Sequence, residues 1–401
     1  MIDISANYRF NARSMRSGTD KKRSTSHSTG RLTAEPQVAK YETISIIGDG
    51  GMATALAILL CEKIADSNSV ERIQKEKLSA EHYTLNAIRC VRMWGYDRRQ
   101  LAQIEQAGEN KKFLPGYKFP KTLIFEPDDE RVMVDTDLII SAVPSQFMRS
   151  VWTRLKDYVP TDIPIVSVAK GIENGTLLRP TQILADVLEP KLKTQNSKLK
   201  TAVLSGPTIA DELARKLPAT ACVASRDEQL AKDVQQTFFC PWLRVYTNTD
   251  VVGVELAGAM KNIIAIAAGI VDGTRLGDNA KAALLTRGLV EITRLGLAMG
   301  ARPQTFAGLT GLGDLVTTCI SPKGRNRSFG ERVGKGRTVQ QARDATESVV
   351  EGIATCSSVV ALAAKYDVEM PITQAVYEVL FENKPVQTAI EELMTRKLKS
   401  E

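Results

Sequence analysis

A short apolar strand running straight into a glycine loop and then a helix limits the fold of this chain more than any other feature. Ile44 to Ile47 is the strand, and Gly48-Asp49-Gly50-Gly51-Met52-Ala53 follows at once. A helix is expected from about Met52 to Ala65. The pattern G-x-G-x-x-A carries meaning in this strand–turn–helix setting and little outside it. Gly48 permits the tight turn, Gly50 lets a pyrophosphate reach the backbone, and Ala53 lets the helix pack close to the strand. The first turn of the helix adds N–H donors and the positive end of its dipole. The unit predicts dinucleotide binding.

Further apolar runs follow, and each ends in residues with chemistry. Cys90 to Trp94 leads into Gly95-Tyr96-Asp97-Arg98-Arg99. That turn lies where an adenosine ribose would sit: an Asp binds ribose hydroxyls and an Arg accepts a 2′-phosphate, so NAD and NADP both stay open. Leu138–Ala142 ends in Pro144-Ser145, Pro164–Val168 in Lys170-Gly171, and Thr201–Leu204 in Ser205-Gly206-Pro207-Thr208; Thr220–Ala224 is a further strand. Helical segments such as Thr181–Leu188 and Ala210–Arg215 separate many of them. Strands alternating with helices predict a doubly wound, mainly parallel sheet with ligands at the carboxyl ends of its strands. Gly48, Pro144, Lys170 and Thr208 all fall at such ends.

After about Asn248 the pattern changes to helices alone, at Gly253–Gly269, Lys281–Met299, Thr338–Asp344, Ile353–Tyr366, Ile372–Phe381 and Pro385–Arg396. The fold class expected is therefore α/β, an N-terminal Rossmann-type doubly wound sheet followed by an all-helical C-terminal domain. The boundaries are 41–248, with a charged insertion at about 66–86, and 249–396. Residues 1–40 form a basic tail read as disordered. The tail is also rich in Arg and Ser like a transit peptide, but it lacks an amphipathic face.

The first of those helices, GVELAGAMKNIIAIAAG, is apolar on every side and should be buried. At 17 residues with charges it is short for a bilayer, and no transmembrane span is expected. Lys261 within it either snorkels to water or faces a cavity, where desolvation favours its neutral form. On this helix alone both readings stay open. Between the helices lies a glycine-rich loop, Gly308–Arg327, holding Asp314, Arg325 and Asn326. Asp314 is a helix cap or a site carboxylate; Arg325 and Asn326 are a solvated turn or a phosphate clamp.

Charge and composition remove other classes. The net charge is +7, but eight basic and three acidic residues fall within Met1–Lys40, so the tail carries +5 and the rest only +2. A nucleic-acid face is not expected. None of the six cysteines forms a CxxC pair, which fits reduced thiols in the cytoplasm, and no metal site is expected. Dinucleotide chemistry is hydride transfer, and a carbonyl reduced by hydride needs a proton donor. The two histidines, His27 and His82, lie in the tail and the insertion. Lysine is the remaining candidate, and Lys261 is the lysine in an apolar setting.

The motifs together resemble the bacterial-type NAD(P)-dependent glycerol-3-phosphate dehydrogenases. The resemblance spans about Glu42 to Met394. It is carried by Gly48–Ala57, Val168-Ala-Lys170-Gly171, Ser205–Thr208, Glu255–Asn262, Asn279–Gly288, Gly311-Leu-Gly313-Asp314-Leu, Arg325-Asn326-Arg327 and Val349-Val350-Glu351-Gly352. It implies interconversion of dihydroxyacetone phosphate and sn-glycerol 3-phosphate with NAD or NADP, feeding glycerophospholipid synthesis in the cytoplasm, as a homodimer. It implies Lys261 as proton donor or acceptor, and substrate contacts at Lys170, Gly206, Thr208, Asn262, Asp314, Gly324, Arg325 and Asn326. It also implies a cofactor lining of Gly51, Met52, Tyr96, Asp97, Lys170, Ala210, Arg325, Val349 and Glu351, beside Gly48 and Gly50.

Three features depart from that family. Asp49 brings a negative charge to a phosphate loop that usually carries small neutral residues, which weakens cofactor binding unless the side chain turns away. Gly324 stands where bacterial members often have Ser. The tail and insertion have no counterpart. The competing readings are another two-domain dehydrogenase, of a hydroxy acid or an acyl-CoA, and a dinucleotide-binding regulator without turnover.

Overall fold

The computed structural model describes residues 40–73, 88–194, 198–346 and 349–398. The expected tail, apart from Lys40, and most of the 66–86 insertion lie outside them, as do His27 and His82. The strands are β1 (Thr43–Ile47), β2 (Cys90–Trp94), β3 (Leu123–Phe125), β4 (Leu138–Ser141), β5 (Ile165–Ser167), β6 (Thr201–Ser205), β7 (Ala219–Ala224) and β8 (Leu243–Asn248). They form one sheet in the order β3-β2-β1-β4-β5-β6-β7-β8. All neighbours are parallel except β6 and β7.

Helices α1 (Gly51–Ile73), α2 (Arg98–Ala107), α3 (Ser145–Leu155), α4 (Pro180–Thr194), α5 (Ala210–Ala214) and α6 (Glu228–Phe238) connect the strands. Alternation along the strands divides their side chains between two layers. Ile44, Ile46, Leu138 and Ile140 pack with Leu56, Leu60, Leu101 and Phe238 on one face. Ile47, Ile139 and Ile165 pack with Met148, Trp152, Ile183 and Leu184 on the other. This is the doubly wound sheet that the sequence pattern predicts. The order reverses at β1, which pairs with β2 on one side and β4 on the other. The crevice beyond that pair is where such sheets bind ligands.

The remaining helices are α7 (Val251–Thr274), α8 (Asp278–Ala298), α9 (Pro303–Ala307), α10 (Asp314–Ile320), α11 (Arg325–Gly334), α12 (Val339–Asp344), α13 (Glu351–Lys365), α14 (Pro371–Phe381) and α15 (Val386–Met394). α7 is the axis of this part, and nineteen of its residues are buried. Its N-terminus is capped by Asp250, whose carboxylate accepts from Gly253 N at 2.9 Å. At 24 residues it is longer than the 17-residue segment read from sequence and does reach the length and apolarity of a membrane span. Its apolar window is 94% buried inside the protein, so packing rather than shortness is what separates it from a span.

Two further expectations are corrected. α1 runs to Ile73, eight residues beyond its expected end. The stretch read as a glycine-rich loop is largely helical, with a π turn at Leu309–Gly313 leading into α10, and α11 starting at Arg325. A Cβ on Gly311 would stand 2.0 Å from Phe306 O. The glycines there serve close packing, which overrides their poor helix propensity.

The seam between α7 and α11 has the same character. A Cβ on Gly269 would stand 2.0 Å from Arg327 O, and one on Gly330 would stand 2.0 Å from Ile266 O. Gly273 and Gly334, one turn on, are confined less tightly, with a Cβ at 2.4 Å from Glu331 O and 2.5 Å from Ile270 O. Gly to Ala inside a helix ordinarily gains up to about 1 kcal/mol. Here backbone must separate, which costs about 1–3 kcal/mol. Gly330→Ala should therefore lower stability by about 2 kcal/mol in urea titrations; an unchanged or higher midpoint would refute the backbone contact.

Candidate functional site

The glycine loop after β1 is shaped from both sides. Gly48 has a φ of +125°, and a Cβ there would meet Ala142 O, just beyond β4, at 2.6 Å. A Cβ on Gly51 would meet Phe113 O at 2.8 Å, whereas one on Gly50 would meet nothing within 4 Å. The loop is closed at its flanks and open at its centre. Asn110 braces it from below, its Nδ2 donating to Asp49 O and to Thr54 Oγ1, both at 2.8 Å. Backbone open at Gly50 and standing at the N-terminus of α1 is what a pyrophosphate needs, so the residues present fit a dinucleotide.

The loop forms one wall of a cavity of about 870 Å³. That is in the upper part of the size range of small-molecule sites, about 300–1,000 Å³. Of the residues singled out in the sequence, the cavity is lined by Gly48, Asp49, Gly50, Gly51, Met52, Tyr96, Pro144, Lys170, Thr208, Ala210, Lys261, Asn262, Gly324, Arg325, Asn326, Val349 and Glu351. Gly206 and Asp314 stand behind the wall and join it through Lys170. Asp97 is not in the lining; its Oδ1 caps α2 by accepting from Arg99 N at 2.8 Å and Gln100 N at 3.3 Å.

Behind the wall, two of the lining lysines share one buried carboxylate. Lys261, on α7, donates to Asp314 Oδ1 at 2.5 Å, and Lys170, after β5, donates to Asp314 Oδ2 at 2.7 Å. Lys170 also donates to Gly206 O at 3.1 Å. Thr318, one turn after Asp314 on α10, accepts from Lys261 as well. Asp314 is the first residue of α10 and makes no side-chain cap hydrogen bond there. Its two oxygens are taken by the two lysines. Burial pulls the Lys261 amine down to about 8, with Asp314 opposing and Lys170 assisting. Burial pushes Asp314 up, but the Lys170 and Lys261 ammoniums outweigh it and hold the carboxyl below its usual range. Lys261 is 6% exposed and lines the cavity, so its snorkelling alternative is gone.

Gly324 is the N-cap of α11, and Arg325 and Asn326 open the helix. Asn326 Oδ1 accepts from Gly352 N at 2.9 Å. That contact fixes the amide so that Nδ2 is its free donor end. An exposed guanidinium, an amide donor and a helix N-terminus together suit phosphate oxygens. Glu351, first in α13, is pushed up by burial against the pull of Arg325, Lys170 and Lys261. Cys319 is buried in the helical core, and burial raises its thiol to about 12, which suits packing rather than nucleophilic work.

The sequence reading missed Thr318, Phe113 and Phe147. Thr318 was hidden by reading its helix as a loop; four residues after Asp314 puts it on the same helix face. Phe113 enters through its backbone, which leaves no pattern in a sequence.

Both parts of the chain match known proteins. Two family models match: the N-terminal part of NAD-dependent glycerol-3-phosphate dehydrogenase over residues 43–231, and its C-terminal part over 250–391. The chain is 42% identical over 358 residues to a glycerol-3-phosphate dehydrogenase [NAD(P)+] of Chlorobium phaeobacteroides, covering 89% of this chain and 98% of the relative. It is similar to the crystal structure of glycerol-3-phosphate dehydrogenase from Coxiella burnetii, with a TM-score of 0.78, 36% identity, and coverage of 88% and 99%. A ketopantoate reductase from Ralstonia eutropha shares the fold alone, at 14% identity and a TM-score of 0.50 with coverage of 88% and 99%.

Removing the charge of Asp314 would leave the buried Lys261 ammonium and the partly buried Lys170 ammonium without their shared counter-charge. Asp314→Asn should cost about 3 kcal/mol of stability at neutral pH. In that variant one lysine titrates well below its unfolded value of about 10.4. The unfolded chain then holds more protons across the interval, so stability rises with pH and the deficit shrinks by pH 9–10. Urea midpoints of both proteins across pH 6–10 test this; a deficit that grows with pH would refute it.

Proposed function

The chain belongs to the NAD-dependent glycerol-3-phosphate dehydrogenase family, and from that premise we propose which of its residues perform the reaction. The reaction is the interconversion of dihydroxyacetone phosphate and sn-glycerol 3-phosphate. The bound nicotinamide, NAD(P)(H), supplies or takes up the hydride at the carbon that is ketone or alcohol. Everything else is asked of the side chains around the cavity.

Lys261 gives its proton to the substrate oxygen as the ketone is reduced, and takes it back as the alcohol is oxidised. The observation that carries this is the buried Lys261 amine, held by Asp314 and Thr318 and opening on a cavity that Arg325 and Asn326 also line. An amine poised near 8 exchanges protons near neutral pH, where an ordinary lysine would stay charged. Asp314 stays anionic and aims the amine rather than giving up a proton. Arg325, Asn326 and the backbone at Gly324 hold the substrate phosphate. Lys170, Thr208 and Asn262 flank the triose, with Lys170 bound on its far side to Gly206 O and Asp314.

Gly48, Gly50, Gly51 and Met52 hold the cofactor pyrophosphate, and Tyr96, Ala210, Val349 and Glu351 complete its lining. The division between the cofactor half and the substrate half falls between Asn248, the end of β8, and Val251, the start of α7. The same reading includes a homodimer in the cytoplasm. Unpaired cysteines at all six positions are consistent with a reducing compartment. The subunit mass is 43.9 kDa, and a solution mass equal to it would overturn the dimer.

Lys261→Ala should lower turnover by about 10²–10⁴-fold while leaving nicotinamide binding intact. Turnover close to that of the unaltered protein in a stopped assay would sink the assignment. The pH profile has a definite sign. Reduction needs protonated Lys261, so its rate is flat below about pH 8 and falls above; oxidation needs the neutral amine and rises toward pH 8. Arg325→Ala should act mainly on KM for either triose phosphate, raising it about 10- to 100-fold as a charged hydrogen bond is lost. A pure kcat effect would argue against phosphate holding.

A further inference from the structure

Asp49 is the charged residue that the cofactor loop would be expected to do without, and its surroundings assign it a task. Its carboxylate turns sideways to the end of β2. A Cβ built on Gly95, the first residue after that strand, would meet Asp49 Oδ2 at 2.9 Å and Cγ at 3.2 Å. In sheets of this kind the carboxylate that binds the adenosine ribose comes from the end of the second strand. Here that position is glycine, and the space a side chain would start from is held by the Asp49 carboxylate.

The carboxylate is fixed there. Gln100, on α2, donates its Nε2 to Asp49 Oδ2 at 2.5 Å, and Lys112 donates to Gln100 Oε1 at 3.3 Å. The Asp49 backbone is fixed by Asn110. Asp49 lines the cavity together with Trp94 and Tyr96. Asp97, the acid that sequence reading puts at the ribose, spends its Oδ1 on the α2 cap and is absent from the lining. Burial raises the Asp49 carboxyl, with the Gln100 hydrogen bond and the Lys112 charge working against that rise. A carboxylate partly withdrawn from water is short of donors, and ribose hydroxyls are donors.

We propose that Asp49 reads the adenosine ribose, accepting hydrogen bonds from its hydroxyls in place of an acid at the end of β2, and thereby selects NAD(H) over NADP(H). A 2′-phosphate in the same place removes a hydroxyl donor and sets like charges together. Arg98 and Arg99 are exposed on α2, but a cation there must work against the Asp49 charge to favour the phosphate. The proposal rests on the cofactor placement given above, with the adenosine half at the ends of β1 and β2.

Isothermal titration of the full chain with NADH and with NADPH, without substrate, tests it. The unaltered protein should bind NADH about 10- to 100-fold more tightly, the worth of one hydrogen bond to a charged group. Asp49→Asn keeps the size and removes the charge, and Asp49→Ala removes the side chain. Both should bring the ratio to within about threefold of unity. ADP-ribose and its 2′-phosphate, titrated in the same way, should repeat the pattern without the nicotinamide. Equal or tighter NADPH binding by the unaltered protein overturns the proposal. So does a ratio that both variants leave intact, or one that moves with Asp97→Asn instead. Binding of neither dinucleotide overturns the cofactor placement itself, and the proposal with it.

Discussion

One carboxylate shared by a buried ammonium and a partly buried one ties together the elements around this cavity. Asp314 gives one oxygen to Lys261 and the other to Lys170, so each of its partners fixes the other's geometry. The three residues come from three places: α7, the end of β5, and the first turn of α10. Two positive charges around one negative leave a local surplus beside a cavity that Arg325 and Glu351 also line. That surplus is unfavourable for the empty protein and favourable for an incoming phosphate dianion. A buried ion cluster is weak evidence for stability in itself. Its place at the junction of sheet and helices argues that binding is its purpose.

The geometry of that cluster depends on α7 keeping its position along its axis. A helix buried on all sides has few polar groups to set its register, and here two sets do so. Glu255 accepts from Thr181 N at 2.7 Å and Thr181 Oγ1 at 2.9 Å, and pairs with Arg179. It therefore caps the N-terminus of α4 from a different helix. Lys261 follows six residues later, about 9 Å along the axis at 1.5 Å per residue. The segment bearing Glu255 and Lys261 is thus tied to the head of α4 at one end and to α10 at the other. On its other side, glycine seams bring α11 against α7 at backbone distance. Arg325 and Asn326 at the head of α11 are thereby set relative to Lys261.

How much of this was legible follows from which forces leave a trace in sequence. The strand–glycine–helix unit at Gly48 was readable because turn geometry, phosphate access and close packing each demand a particular residue. Six strands were readable from apolar runs. β3 was missed because it is three residues long, and β8 because its LRVYTN alternates buried with exposed positions. The helix at Asp314 was missed because glycine propensity was read locally, while packing of Gly311 against Phe306 decides the fold. Lys261 was singled out by its apolar setting. The partner that tunes it lies 53 residues away and is invisible until the chain folds.

The Asp49 carboxylate shows the same limit from the other direction. Read along the chain, an acid between two glycines of a phosphate loop looks like a defect, because the pyrophosphate is the nearest imagined ligand. The sheet puts β2 beside β1, in register from Thr43 and Cys90 to Ile47 and Trp94, so the residues after the two strands meet. Gly95 then stands beside Asp49, though they are 46 positions apart in the chain. The residue after β2 carries no side chain, and the Asp49 carboxylate from the turn after β1 lies against it. The unit that recognises the ribose is the pair of strand ends, and neither residue alone reveals it.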